Sequence, residues 1–413
     1  ARQLGAGTVL ALRSPVLASD DATAEALFRI NRAGDWAAFT AALAHFHSPV
    51  QNLFYADVAG HIGFSVAGRV PLRQGRDSRT LADGARADHN WAGFIAPAAL
   101  PRSFDPARGI LVNANNRVVG AGYPYQLSRN WEAPYRAMRI EQVLAGGGKQ
   151  TVATTGALQR DELSLAARDL MPALMRQTSR SAGNAALLDR LQNWDAIARR
   201  DGPEALIFTT WMARLTLMLF GDDLGPQFDG FARLRPLLLA AVLNGDTAWC
   251  DDTRTTDRSE TCAEALAASL DAAGRDLAAR YGTDVAAWHW GAAHRAVFRN
   301  PALDWLPLIG PLTRITIATG GDDFTVNRGT STLRGAATDF DHVHGPTLRA
   351  IYDMSDPDAA RFAVPGGQSG NPLSRHYRDL TRRWRDGATV TLRHRPDGAL
   401  DRLRLVPAPP PRS

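Results

Sequence analysis

The sequence predicts a mixed α+β fold, β-rich at both ends with a helical lobe between. Three observations carry this. Residues 51–66 alternate between apolar and polar positions, as a half-buried antiparallel pair does. From about Trp131 to Arg299 the apolar residues recur at helical spacing. After Pro301 the β character returns. The expected division is residues 1–130 for the first part of the β core, 131–300 for the helical lobe and 301–413 for the C-terminal β-rich part.

The most informative stretch runs from Gln51 to Phe64 and on to Arg69 and Arg73. It reads as a β-hairpin. Asn52, Phe54, Ala56 and Val58 share one face, and Leu53, Tyr55 and Asp57 the other. Ala59-Gly60 supplies the turn, and Ile62, Phe64 and Val66 continue the alternation on the return strand. Asn52 is the anomaly, a primary amide in register with apolar neighbours. A buried amide needs hydrogen-bond partners or something that requires its donor.

The other elements follow in order. Residues 8–18 read as a strand. Helices are expected from Thr23 to Arg32, after Asp20-Asp21, and from Asp35 to about His45. Residues 74–108 are punctuated by glycine and proline and read as loop, and 109–114 as a strand. The helical region divides into Trp131–Ala145, Leu158–Gln177, Ala185–Trp194, Pro203–Phe220, Phe231–Leu243 and Ser259–Tyr281. Strands are then expected at 314–319, 323–328, 347–353, 361–364 and 389–394, a helix at 373–385, and a loose tail at 407–411.

Composition excludes some classes. Arg+Lys exceeds Asp+Glu by 47 to 42, a net charge of +5, and Lys149 is the sole lysine. The charges are interleaved, so a single-sign field of the kind that binds nucleic acid is absent. The best membrane candidate, Ala205–Phe220, is too short and carries Arg214. Cys250 and Cys262 bracket an acid-rich loop with no histidine or third cysteine nearby. A disulfide fits that arrangement better than a metal, would contribute roughly 3 kcal/mol, and implies an oxidising compartment such as the bacterial periplasm or an extracellular site.

Four segments together give a family resemblance. They are Gln51–Phe64, Gly109–Arg117 with its Asn113-Ala114-Asn115-Asn116 turn, Trp288-His289-Trp290-Gly291 with His294, and Ser355-Asp356-Pro357-Asp358 followed by Gly366–Pro372. In this order they resemble the β-chain of the penicillin acylase (penicillin amidase) family of N-terminal-nucleophile hydrolases, including the acyl-homoserine-lactone acylase branch. The resemblance implies an αββα sandwich, here partial, interrupted by the helical lobe. It implies hydrolysis of a linear amide by a free N-terminal Ser released by autoproteolysis. This chain begins Ala1-Arg2-Gln3-Leu4, so it resembles the C-terminal portion of such a β-chain. The nucleophile, the α-chain and the upstream part of the β-chain are then expected elsewhere, and the fragment alone is expected to be inactive. The alternative is a non-catalytic acylase-like binding scaffold.

The resemblance implies roles for particular residues. Asn52 matches the asparagine whose side-chain amide donates to the tetrahedral oxyanion. Arg73 matches the arginine that helps hold the nucleophile's α-amino group and its asparagine partner, with Arg69 the competing choice. The α-amino group itself serves as base, so no histidine or carboxylate is required. Phe54, Phe64 and Val66 are candidates to line an apolar acyl pocket, with core packing the simpler explanation. No cofactor is required. Acylases of this type commonly hold a structural calcium ion, for which Asp57 is a candidate contributor and equally a carboxylate that steadies the hairpin. The paired histidines His45/His47 and His342/His344 lack a convincing third ligand. Ser369, in Gly366-Gly367-Gln368-Ser369-Gly370-Asn371, misses the glycine that a nucleophile elbow needs at 371.

Overall fold

The computed structural model describes residues 9–74, 79–331, 340–393, 404 and 406. Two short helices lead, α1 (Thr23–Ile30) and α2 (Trp36–Leu43). Asp35 caps α2, its carboxylate accepting the Ala38 N–H at 2.7 Å. Asp21 accepts the Thr23 N–H at 2.9 Å where α1 begins. The strand expected over 8–18 does not form. Residues 9–14 join no sheet, and Pro15–Leu17 closes a 3-10 turn, because Pro15 fixes φ and has no N–H for a ladder.

The predicted hairpin is present. β1 (Gln51–Ala56) pairs antiparallel with β2 (Ile62–Ala67), Asn52 opposite Val66 and Phe54 opposite Phe64. Gly60 turns the chain at φ 95°. β3 (Pro71–Arg73) and β4 (Trp91–Phe94) form a separate ribbon, and β5 (Arg102–Phe104) adds to the far edge of β2. β4 and β5 are too short for a period-2 signal, and the sequence reads them as loop. α2 covers one sheet face, where Trp36, Phe39 and Leu43 meet Leu53, Tyr55 and Ala67. Gly63 permits this close approach, since a Cβ there would run into the Trp36 ring. The opposite face buries Val66 with Val70, Ile95 and Leu100, flanked by Phe64 and Leu127. The strand expected at 109–114 pairs with no described residue, and the chain turns at Asn115 (φ 66°).

The helical lobe contains α3 (Tyr135–Ala145), α4 (Val152–Leu158), α5 (Leu165–Gln177), α6 (Ala185–Gln192), α7 (Glu204–Leu224), the single turn α8 (Phe228–Phe231), α9 (Pro236–Asn244), α10 (Cys262–Tyr281) and the short α11 (Trp290–Ala293). The helix expected over 158–177 is broken, because Ser164 caps α5 and residues 159–164 form a connector. α7 is apolar on nearly all sides and buried through most of its length, so it forms the lobe's axis. α10 lies along it. The Trp211 indole N–H donates to Ser269 Oγ at 3.0 Å and Leu266 O at 3.2 Å, and Arg214 pairs with Asp276. α10 starts with a capping box between Thr261 and Glu264, and the expected disulfide joins Cys250 to Cys262. No described helix is long and apolar enough to cross a membrane.

The C-terminal part begins with β6 (Arg295–Phe298), follows the single turn α12 (Gly310–Thr313) with β7 (Ile315–Ala318), and ends with a three-stranded sheet of order β10-β9-β8. These last strands are β8 (Arg349–Ile351), β9 (Ala360–Ala363) and β10 (Val390–Leu392), with α13 (Thr381–Asp386) before β10. Two expectations fail here. Residues 323–328 are successive turns, since the Asp322 carboxylate takes the N–H groups of Phe324 and Thr325 and competes with any strand. Of the helix expected at 373–385 only α13 forms, because Ser and Asn side chains take backbone N–H groups from Asn371 to His376. The tail at 407–411 lies outside the described residues.

Candidate active-site face of the hairpin

Asn52 sits half-buried on β1, its side chain on the same face as Phe54 and across from Val66. Its Nδ2 donates to Asn113 Oδ1 at 3.1 Å. The second amide N–H makes no hydrogen bond among the described residues. Asn113 Oδ1 also accepts the Asn115 N–H at 3.2 Å, while Asn113 Nδ2 is buried without a partner. Asn116 Oδ1 accepts the Ala114 N–H at 3.0 Å, which closes the same turn from its other end.

Charge lies directly behind this turn. Arg136 on α3 donates to Asn115 Oδ1 at 2.9 Å. Burial, together with the neighbouring Arg328 guanidinium, pulls the Arg136 pKa down to about 10. Arg328 in turn pairs with Glu132 at 3.3 Å and with Asp323 at 3.8 Å. Burial pushes the Asp323 carboxyl up to about 6. Sequence reasoning read the 113–116 run as a turn, and it assigned no role to Asn113 or Arg136. The signal available was the clustering of three asparagines there, since Asn and Asp cap turns through their own side chains.

The two candidate arginines differ in their partners. Arg69 is held in a two-point ion pair with Asp20, at 2.8 and 2.9 Å. Arg73 ends β3 and makes no ion pair among the described residues; its guanidinium lies 6.0 Å from the Trp91 ring, which Arg13 approaches at 4.5 Å. Both candidates nonetheless line one cleft of roughly 310 Å³, with Arg13, Val50 and Leu127, whose lining holds no carboxylate among the described residues.

The three apolar candidates do not share one cavity. Phe64 lines a cleft of roughly 440 Å³ with Leu111, Val112, Val118 and Asn116. Val66 borders a larger groove of roughly 710 Å³ between α2 and residues 94–102. Phe54 is 48% exposed, packs edge-on against Phe64, and lines neither. Asn52 lines none of these three clefts. Both Asp57 oxygens serve the hairpin, accepting from Tyr55 Oη and from the Ala59 and His61 N–H groups. Among the described residues no group of three or more His, Cys, Asp or Glu is placed to hold a metal.

Two histidines that the sequence singled out separately meet in the interior. His294 stacks between Trp290, at 4.4 Å, and His342, at 5.2 Å. His294 Nδ1 bonds the Phe340 carbonyl and its Nε2 has no partner, while His342 Nδ1 bonds Thr319 Oγ1 at 3.1 Å. His47 accepts the Ala22 N–H. Their roles are packing and capping.

Comparison with known proteins gives the family. The penicillin amidase family model matches residues 2–399. An acyl-homoserine lactone acylase, QuiP, of Pseudomonas fluorescens (strain Pf0-1) is 29% identical over 98% of this chain and 51% of its own length. Penicillin acylase 2 proenzyme of Pseudomonas sp. (strain SE83) is 30% identical over 97% of the chain and 52% of its own. The chain thus spans about half the length of these curated relatives. Among solved structures, a thermostable penicillin G acylase from Alcaligenes faecalis superposes with a TM-score of 0.64, covering 94% of this chain and 73% of that one at 19% identity. That likeness establishes the N-terminal-nucleophile hydrolase fold. With the family match running almost end to end, the chain belongs to the penicillin amidase family.

Proposed function

We propose that this chain carries the oxyanion donor of an amide hydrolase that removes the acyl side chain of a penicillin-like or N-acyl-homoserine-lactone substrate. In this reading an N-terminal Ser attacks the amide carbonyl, and its own α-amino group takes the hydroxyl proton. Negative charge then develops on the carbonyl oxygen, and Asn52 Nδ2–H donates to it. The amine leaves with the transferred proton, and water releases the acyl group from the ester. The Ser belongs to a segment corresponding to the part of the relatives that this chain does not match. Arg73 steadies the nucleophile's amine and the asparagine, and the cleft beside Phe64 receives part of the acyl group. The Cys250–Cys262 bridge supports a periplasmic or secreted setting.

One observation carries the reading. Asn52 stands on a rigid antiparallel pair with one amide N–H engaged and the other free to donate. The test uses a chromogenic phenylacetyl amide and an acyl-homoserine lactone. The chain alone should turn over neither. In the parent enzyme bearing the Ser, Asn52→Ala should lower kcat by about 10²–10³ with folding intact. A near-normal rate removes Asn52 from the chemistry.

A further inference from the structure

We propose that Asn113 is a positioning residue that aims the Asn52 amide; the proposal rests on the reading of Asn52 as oxyanion donor. A primary amide on a half-buried strand rotates about two side-chain torsions, and a donor stabilises developing charge only where its N–H is already aimed. Asn113 Oδ1 takes one of the two Asn52 N–H groups at 3.1 Å. The other N–H is thereby fixed in the amide plane, turned away from Asn113.

Asn113 is itself held in one orientation. The Asn115 backbone N–H donates to the same oxygen at 3.2 Å. Reversing the Asn113 amide would set its NH₂ against two donors at once. The chosen orientation leaves Asn113 Nδ2 buried and without an acceptor. That is an expense folding alone would avoid, since an apolar side chain of the same shape fills the space without it. The orphaned donor and the fixed acceptor are two ends of one group, so the structure keeps the first for the sake of the second. Asn115 is anchored in turn by its left-handed backbone at φ 66°, by Arg136 at 2.9 Å, and by its carbonyl, which accepts the Glu132 N–H at 3.2 Å. A continuous polar connection therefore runs from α3 through the turn to β1.

The test reads Asn52 directly and needs no turnover. The full chain, labelled with ¹⁵N at asparagine, gives side-chain amide signals, and Asn52→Asp identifies those of Asn52. In Asn113→Leu the two Asn52 amide protons should converge toward the positions of a free amide and exchange with water at least about tenfold faster, while the melting temperature holds. Asn113→Asp keeps both acceptor contacts and should preserve the Asn52 signals. Unchanged Asn52 signals in Asn113→Leu, or their collapse in a folded Asn113→Asp, overturn the positioning role. If Asn113→Leu does not fold, Asn113→Asp decides alone. A second arm measures kinetics in the Ser-bearing parent, where Asn113→Leu should lower kcat about tenfold or more with KM within about twofold. Signals that move as expected with kcat unchanged would instead sink the assignment of Asn52 as the donor.

Discussion

The stacked pair His294–His342 makes acid stability a quantitative test of the interior. His294 is fully buried, and burial with the neighbouring His342 lowers its pKa to about 3. His342 is lowered to about 4, chiefly by burial, with Arg349 and His344 adding repulsion. Both rings are neutral in the folded chain where the unfolded chain, with pKa near 6.5, is protonated. The unfolded state therefore binds more protons below pH 6.5, and stability falls with pH from there toward pH 3–4. At pH 4.5 each ring costs about 2–3 kcal/mol relative to pH 7, about 5 kcal/mol for the pair. Asp323 acts in the opposite sense. Its carboxyl, raised to about 6, is protonated more readily when folded and returns about 2 kcal/mol at the same pH. The half-buried carboxyls of Glu162 and Asp322 are also raised, chiefly by desolvation, and work with Asp323.

A single variant separates these contributions. His342→Asn places an amide atom near the position of Nδ1, within reach of Thr319, and removes the titrating ring. Urea unfolding of parent and variant at pH 7 and pH 4.5 gives four free energies. The acids are common to both proteins and cancel in the difference, so the pH-induced loss should shrink by about 2–3 kcal/mol in the variant. A companion NMR titration should find the His342 ring neutral down to about pH 5. Equal pH dependence in the two proteins, or a His342 midpoint near 6.5, would refute the argument.

Other perturbations probe the lobe and its junctions. Trp211→Phe removes the indole N–H from Ser269 and Leu266 and opens space beside a fully buried ring; a loss of about 2–4 kcal/mol in urea unfolding is expected, and a change below about 1 kcal/mol would show that α7 and α10 close over the gap. Cys250→Ser opens the loop closed across 12 residues of sequence separation and should cost about 3 kcal/mol, with dithiothreitol producing the same shift in the parent and none in the variant. Asn327→Leu breaks the amide bridge between buried Arg349 and half-buried Glu162, leaving both with one partner fewer. A loss of about 3–5 kcal/mol at pH 7 follows, and a value under 1 kcal/mol would mean that water replaces the amide freely.

What the sequence revealed depended on how far each signal reached. The hairpin was legible because alternation over residues 51–66 and the Gly60 turn are both local, α2 because Asp35 stands where it starts, and α10 because its apolar residues recur at helical spacing. The Cys250–Cys262 pairing followed from proximity in the chain. Residues 109–114 read as a strand because Ile110-Leu111-Val112 favours extended backbone, but a ladder needs a backbone partner and no described strand pairs with them. Residues 323–328 failed for the opposite reason: Asp322 supplies a local competitor that a β-propensity count does not register. In the candidate site, Asn52 was visible as a polar residue in an apolar register. Its partner Asn113 lies 61 residues away, and that contact is tertiary.

Two neutral amides, Asn113 and Asn327, do similar work in different electrostatic settings, and the contrast bears on how each site tolerates change. Asn327 is oriented by charge at both ends, Arg349 Nη2 donating to its oxygen at 2.6 Å and its nitrogen donating to Glu162 Oε1 at 2.9 Å. A reversed Asn327 would face a cation with a donor and an anion with an acceptor, so its orientation is strongly enforced. Asn113 is oriented at its oxygen by one backbone N–H and one amide, both neutral, and its nitrogen is unopposed. Neutral hydrogen bonds are roughly half as strong as charge-assisted ones. The connection to Asn52 is therefore the more easily reset of the two, whereas Asn327 can be altered only at a cost to the junction between the helical lobe and the C-terminal sheet. It follows that substitutions which retune the Asn52 amide while preserving the fold are to be sought at 113, where the restraint is neutral and weak, and not at 327 or at 115, which the Arg136 cation and a left-handed backbone hold.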